Sequence, residues 1–117
     1  MSRTFTVNVA GLNEVLRTLE PGPLKTDLDR ITEAYTRKMA NETAEAAPVD
    51  TSRLKNSFPP SVRKEADVLW SYGSDVPYAK KQEYEHHTKK GFVRKTVWNN
   101  REPYRNKINE RLGEMGS

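Results

Sequence analysis

The residues best suited to chemistry in this sequence are two adjacent histidines, His86 and His87, which lie close to Glu83 and Glu85. Imidazole and carboxylate groups together can bind a metal ion or act as general bases. Neighbours in a helix point about 100° apart, however, so the two imidazoles cannot chelate one ion as residues four positions apart can. A zinc site needs three or four converging ligands. We therefore interpret His86 and His87 as part of a surface loop after a helix, and we predict no metal site and no cofactor.

Other patterns that carry catalysis are missing from the sequence. It contains no cysteine, which excludes a disulfide, a thiolate metal site and a cysteine nucleophile. It contains neither a Gly-x-Ser-x-Gly nucleophile motif nor a glycine-rich phosphate-binding loop, and it has only six glycines in all. We therefore predict that the protein is not an enzyme and has no catalytic residues.

Basic and aromatic residues are interleaved in the second half of the chain. Lys89, Lys90 and Arg94 lie between the tryptophans Trp70 and Trp98. Aromatic rings can stack on bases while basic side chains neutralise phosphates, so this composition allows nucleic-acid binding. The alternative is that the aromatic residues form the core face of a sheet and the lysines its solvated rim. We favour this alternative, because the aromatic residues occupy the alternate positions that a half-buried strand requires.

Composition and charge indicate one small domain that relies on partners. A chain of 117 residues favours a single domain over residues 1–117. Only 34% of the residues are hydrophobic, against roughly 45–50% in soluble domains when glycine is counted, so we expect neighbouring subunits to complete the buried surface. The net charge of +4 permits contact with nucleic acid without requiring it, since basic and acidic residues alternate along the chain. No segment approaches the ~20 consecutive apolar residues of a membrane helix, so we expect no membrane contact.

The first half of the chain predicts a strand followed by two helices. Residues 5–9 alternate apolar and polar side chains, as in a strand with one buried face. Leucines at helical spacing predict a short helix over residues 12–19, which ends at a Pro-Gly-Pro sequence. A second apolar stripe predicts one helix from Leu24 to Ala46, roughly 34 Å long at 1.5 Å per residue. Pro48 ends this helix.

Glu42 falls within the apolar stripe of the long predicted helix. An unpaired carboxylate would be costly to bury there. One interpretation is that the last turns project beyond the core and Glu42 is solvated, which the rarity of buried unpaired glutamates favours. The other is an ion pair with an arginine of a neighbouring subunit.

A short helix and a hairpin follow. We predict a helix over residues 52–57, with Asp50 or Thr51 as its N-cap. The alternation of apolar and polar residues over 68–72 predicts a strand. We expect this strand to pair with residues 61–63, because the residues between them are polar enough to turn.

The last third of the chain predicts two helices with an extended segment between them. A helix with Pro77 in its first turn runs to the two histidines. After Gly91, the alternation over residues 92–98 allows a further strand or an extended arm. Asn99 or Asn100 then caps the final helix. The predicted fold class is α+β, in which a small antiparallel β-sheet packs against a long α-helix, with a short helix and a C-terminal helix.

Four motifs occur in order along the chain. They are VAGLNEVL at residues 9–16, APVDTSRLKNS at residues 47–57, PYAKKQEY at residues 77–84 and the amphipathic helix at the C-terminus. Their order and spacing resemble the head-tail joining, or tail-completion, family of long-tailed bacteriophages, whose members are also called neck or minor capsid proteins. Ser52 stands where the family usually has glycine. The residues that match the family motifs are Pro48, Asp50, Thr51, Leu54, Ser57, Tyr78, Ala79, Glu83 and Tyr84.

The resemblance implies a structural virion protein. Such proteins form a ring, commonly a hexamer, at the head-tail junction, where the ring completes or terminates the tail and connects it to the capsid connector. The expected partners are other copies of the chain, the connector or adaptor protein and the tail-tube protein, while DNA passes through the channel without specific binding. The expected location is the virion neck, after assembly in the host cytoplasm. The alternative function is a small basic nucleic-acid-binding module.

Contacts between subunits or rings are expected at loops and at the extended arm. Contact surfaces on a small scaffold vary most in loops, and the arm over residues 92–98 has apolar side chains that a monomer would leave exposed. The candidate interface residues are Glu42, Pro59, Pro60, Lys89, Lys90, Phe92 and Trp98.

Overall fold

A computed structural model describes residues 5–10, 22–48, 52–85 and 89–115. The helix predicted over residues 12–19, the two cap candidates Asp50 and Thr51, and the pair His86 and His87 lie outside these residues. The elements in chain order are β1 (Phe5–Ala10), α1 (Pro23–Ala46), α2 (Ser52–Ser57), a 3-10 turn (Pro59–Ser61), β2 (Arg63–Ala66), β3 (Leu69–Ser74), α3 (Ala79–Glu85) and α4 (Phe92–Met115). The predicted α+β fold class is confirmed, with the long helix packed on a small antiparallel sheet.

Helix α1 lies within one residue of its predicted bounds. Pro23 occupies its first turn, where a missing amide hydrogen costs nothing. Its buried face carries threonines beside the apolar residues, and the hydroxyl groups of Thr32 and Thr36 donate to the carbonyl oxygens of Leu28 and Thr32 at 2.9 and 2.7 Å. These bonds satisfy the buried hydroxyl groups within the helix itself.

Helices α1 and α4 pack side by side in opposite directions and give the molecule an elongated shape. The radius of gyration is 15.4 Å, against about 13 Å for a compact chain of similar length, and the principal extents are 50 × 28 × 19 Å. Three hydrogen bonds mark the antiparallel alignment along the pair: Glu42 with Asn100, Thr32 with Tyr104, and Asp27 with Arg111.

The sheet has the strand order β1-β3-β2, and both pairings are antiparallel. The predicted hairpin exists, but its strand and turn are shifted: β2 covers Arg63–Ala66 instead of residues 61–63, and Val68 lies in the turn, not in the strand. Val68 adopts a positive φ of 58°, which is unfavourable for a β-branched residue. The carboxylate of Asp29 on α1 accepts a 2.8 Å hydrogen bond from the Val68 amide, and the Val68 side chain is buried. Tertiary contacts with α1 therefore determine the turn position.

The segment predicted as a strand or extended arm is helical. Helix α4 begins at Phe92, so Asn99 and Asn100 lie inside the helix and do not cap it. The ring of Phe92 packs edge to face on Phe58 with centroids 5.9 Å apart, and only 3% of Phe92 is exposed. Phe92 is therefore a core residue with no surface to offer to a neighbouring subunit. Trp98, from the same predicted arm, is 69% exposed.

Candidate functional site

The motif residues of the short helix are tied to the end of strand β3. The Ser57 hydroxyl donates to the Leu54 carbonyl oxygen at 2.6 Å and lies 2.7 Å from the Ser74 hydroxyl. The Ser74 hydroxyl accepts a 3.1 Å hydrogen bond from the Val76 amide, and the Val76 carbonyl accepts another, also 3.1 Å, from the amide of Ala79 at the start of α3. Residues from both motifs therefore belong to one continuous hydrogen-bonded path.

Glu83, the motif carboxylate, is completely buried and caps helix α4. One carboxylate oxygen accepts the Val93 amide at 2.9 Å, and the other accepts the Arg94 amide at 3.2 Å and the Arg94 Nε at 3.1 Å. Amide groups in the first turn of a helix lack partners within it, and the helix dipole favours an anion there. Both oxygens of this carboxylate thus accept from donors of the same chain, three in all, which indicates a structural role.

The same glutamate closes the turn before α4. Its backbone carbonyl oxygen accepts a 2.6 Å hydrogen bond from the Gly91 amide. Gly91 has a φ of 78°, which favours glycine, so the glycine at this position allows the chain to enter the helix. The guanidinium of Arg94 lies over the ring of Tyr84, 4.8 Å from its centroid, and covers part of that exposed side chain. The sequence contained the relevant signal, a glutamate before a Gly-Phe-Val sequence, but not the loop geometry that brings them together.

The remaining motif residues differ in exposure. Pro48 and Leu54 are buried, Tyr78 is half-buried and Tyr84 is 50% exposed, whereas Asp50 and Thr51 lie outside the described residues. Among the described motif residues, those with hydrogen-bonding groups in the core use them within the chain. The motif therefore serves the fold more directly than it serves a surface.

A second polar network, not predicted from the sequence, attaches the β2-β3 hairpin to α1. Asp29 accepts hydrogen bonds from the Val68 amide and the Trp70 indole, and its second oxygen lies 3.3 Å from the Lys64 ammonium. Lys64 also pairs with Asp67 at 3.1 Å, and this contact raises the pKa of Lys64 and lowers the pKa of Asp67. The network holds the hairpin on the long helix.

The predicted interface residues differ in exposure and in their partners within the chain. Glu42 has partners in its own chain, since it accepts from Asn100 Nδ2 at 2.7 Å and lies 3.8 Å from Lys38, while its side chain is 41% exposed. These contacts account for a glutamate in the apolar stripe of α1 without an ion pair to another subunit and without full solvation. Pro59 is half-buried and Pro60 exposed in the 3-10 turn. Lys89 is half-buried, whereas Lys90 and Trp98 are exposed.

A groove that the sequence did not predict runs between strand β1 and helix α4. Its volume is about 290 Å³, and helix α1 contributes Met39 to its lining. Beside it, the exposed ring of Trp98 lies 5.5 Å from the guanidinium of Arg101. One of its lining residues, Val97, lies in the segment predicted as extended, so its place beside the groove could not be predicted. The other lining residues are Val7, Asn8, Val9, Val97, Asn100, Arg101, Tyr104 and Arg105.

Metal-binding and membrane-spanning features are not found in the described part of the chain. No three histidine, cysteine or acidic residues there are grouped so that they could hold a metal ion. None of the helices formed by these residues combines the length and apolarity needed to cross a membrane. Comparison with known proteins gives no match, whether with protein-family models, with curated proteins or with solved structures.

Proposed function

We propose that this protein is a structural component of a tailed-phage virion that forms a ring at the head-tail junction, which we expect to be a hexamer. The ring would complete or terminate the tail and connect it to the capsid connector. Its partners would be other copies of the chain, the connector or adaptor protein and the tail-tube protein. In this role the protein needs no catalytic residue and no cofactor, and it surrounds DNA without binding a specific sequence.

The observation that carries this proposal is the convergence of the motif residues. Leu54 and Ser57 come from one motif and Ala79 from another, yet the path through Ser74 and Val76 joins them. The rings of Phe58 and Phe92 pack on each other; Phe58 directly follows Ser57 of this path, and Phe92 directly precedes Val93, whose amide donates to the motif carboxylate of Glu83. Side chains that act together to fix a fold are what a family of structural proteins would share.

The elongated shape and the exposed features on α4 further support an assembly role. A molecule of 50 × 28 × 19 Å presents more surface than a compact body of the same length. An exposed tryptophan is typical of contact sites, since tryptophan is enriched among the residues that dominate interface energies. Trp98 therefore stays a predicted interface residue.

The test is the mass of the purified protein by light scattering, followed by electron microscopy alone and with tail tubes encoded by the same genome. Rings in either sample support the proposal, as does a gene position between the capsid and tail-tube genes. A monomer that forms no ring at high concentration and does not attach to tail ends would refute it. Trp98→Ser, which removes the exposed ring on α4, should reduce ring formation. Lys95→Ser is its matched control, because Lys95 is also exposed on α4.

A nucleic-acid-binding module is the second candidate. Two exposed aromatic rings each carry a stacked arginine, Tyr84 with Arg94 and Trp98 with Arg101. Such pairs can stack on bases and contact phosphates. This function predicts binding to single-stranded oligonucleotides that weakens steeply with salt. The ring proposal predicts little affinity for free DNA.

A further inference from the structure

The two edges of the sheet differ in their protection against pairing with another strand. Strand β2 carries the charged residues Arg63, Lys64 and Glu65, and its register with β3 is irregular between Lys64 and Ala66. Charges and irregular pairing are both devices that keep an edge strand from adding a further strand. Strand β1 has the sequence FTVNVA, without charge or proline, and pairs regularly with β3 over all six residues.

The free edge of β1 is therefore able to accept a strand. In an antiparallel pair, alternate residues direct their amide and carbonyl groups away from the partner strand. Among the described residues, no strand pairs with the outer edge of β1. An extended peptide on this edge would form main-chain hydrogen bonds of the kind used in strand addition.

The groove lies directly beside this edge. Val7 and Val9 of β1 line one side and Val97 of α4 lines the other, so the aliphatic stems of long side chains on an added strand would find apolar contacts. Asn100 also lines the groove and is 2% exposed. Its Nδ2 donates to Glu42 and to the Thr96 carbonyl oxygen, whereas its Oδ1 has no hydrogen-bond partner. A buried acceptor without a donor is rare, and an amide group from a bound peptide could supply that donor.

The charge at the groove indicates what such a peptide carries. Arg101 and Arg105 line it, both are exposed, and within the described part of the chain neither forms an ion pair. The two arginines are one helical turn apart, about 6 Å along the axis. Alternate residues of a strand point to the same side and are spaced about 7 Å apart. Two acidic residues at alternate positions of a strand therefore match the spacing of the two guanidinium groups.

We propose that the groove between β1 and α4 binds an extended acidic segment of another protein, which adds to the sheet as a fourth strand beside β1 and directs two carboxylates to Arg101 and Arg105. The occupant is a peptide and not a nucleic acid, because the groove combines apolar walls with a main-chain edge that no strand of the described residues pairs with. The site goes beyond the ring contacts proposed above, and it does not depend on ring formation.

The test uses the full chain and a defined probe, the peptide acetyl-Thr-Val-Glu-Val-Glu-Val-Thr-amide. We expect saturable binding, with slower hydrogen exchange at alternate amides of β1. The double variant Arg101→Gln, Arg105→Gln should weaken binding by about tenfold or more, since it removes two charge-assisted contacts. Lys95→Gln, which removes a charge from the exposed far face of the same helix, should leave the affinity within about twofold.

Peptide variants test the same contacts without changing the protein. Replacing both glutamates with glutamine should weaken binding as the double arginine variant does. Equal losses in the arginine and Lys95 variants would show unspecific charge attraction and overturn the proposal. It would also be overturned by binding that leaves β1 exchange unchanged.

Other occupants of the groove give distinct results. If β1 amides are protected without peptide, and protection increases with protein concentration, the occupant is a second copy of the chain. If protection is already complete in the dilute monomer, the chain itself covers the edge. If a single-stranded oligonucleotide displaces the peptide and depends on the same two arginines, the surface binds nucleic acid. Each of these results overturns the proposal, whereas the mass and imaging data test the ring separately.

Discussion

Replacing the buried carboxylate of Glu83 tests the structural role of the most distinctive motif residue. In Glu83→Gln, the shape is kept, but an NH2 group takes the place of one carboxylate oxygen and must face an amide donor of α4. The wild-type carboxylate accepts two backbone amides and the Arg94 guanidinium from a fully buried position. Charge-assisted hydrogen bonds contribute about 1.5–3 kcal/mol each, and loss of a helix cap costs about 0.5–2 kcal/mol. We therefore expect the free energy of unfolding to fall by about 2–4 kcal/mol.

The assay is urea unfolding followed by circular dichroism, which measures the free energy of unfolding in the same buffer for each variant. Glu85→Gln is the matched control, since it makes the same chemical change on an exposed side chain of the same helix and should stay within about 0.5 kcal/mol of wild type. Arg94→Met should cost less than Glu83→Gln, because both backbone donors keep their carboxylate. If Glu83→Gln and Glu85→Gln have the same stability, the carboxylate does not hold the start of α4 and the reasoning is wrong.

Three further predictions concern the tyrosines, the hairpin and the exposed tryptophan. Burial raises the pKa of both Tyr72 and Tyr104 to about 12, so between pH 10 and 12 the unfolded chain loses protons that the native chain keeps. Stability should therefore fall across that window by on the order of 2 kcal/mol per tyrosine, with the tyrosinates of Tyr72 and Tyr104, assigned by comparison with their phenylalanine variants, appearing only on unfolding; ionisation of either residue in the native state near pH 10 would contradict this. Asp29→Ala leaves the Trp70 indole and a backbone amide without their acceptor, and should lower the free energy of unfolding by about 2–4 kcal/mol; a change below about 0.5 kcal/mol would show that the network does not hold the hairpin. Trp98→Ser should leave the free energy of unfolding within about 0.5 kcal/mol of wild type while lowering the mass of any assembly, and assembly that is unaffected would remove Trp98 from the interface.

The sequence predicted elements whose signals are local. Helix α1 was predictable from its apolar stripe and from Pro48, and the observed helix, Pro23–Ala46, ends at the predicted residue. The start of α4 was not predictable, because its apolar residues at 92, 93 and 97 fit an alternating strand as well as a helix. A carboxylate nine residues earlier, at Glu83, decides between them by supplying acceptors for the first amides of the helix. This contact between Glu83 and the start of α4 cannot be predicted from the periodicity of the sequence.

The position of the turn in the β2-β3 hairpin could not be predicted from local signals either. The polar character of residues 65–67 predicted the turn there, yet the observed turn covers residues 67–68 and includes the buried Val68. Asp29, far away on α1, accepts its amide hydrogen and so stabilises a backbone conformation that valine rarely adopts. The groove between β1 and α4 could not be predicted for a related reason. It requires an edge strand, a long helix and a second helix beneath them, and none of these can be aligned from sequence alone.

The low apolar content has a different explanation from the one the composition suggested. The core contains polar side chains whose hydrogen bonds are made inside the chain, so a hydrophobic fraction of 34% need not be completed by other subunits. Thr43 and Tyr72 bond to each other, and Thr96 bonds to the carbonyl oxygen of Phe92 one turn earlier. An argument for assembly must therefore rest on what the surface presents. Two such features are the exposed ring of Trp98 and the edge of β1 that no strand of the described residues pairs with. The first can be tested by a single substitution and the second by a single peptide.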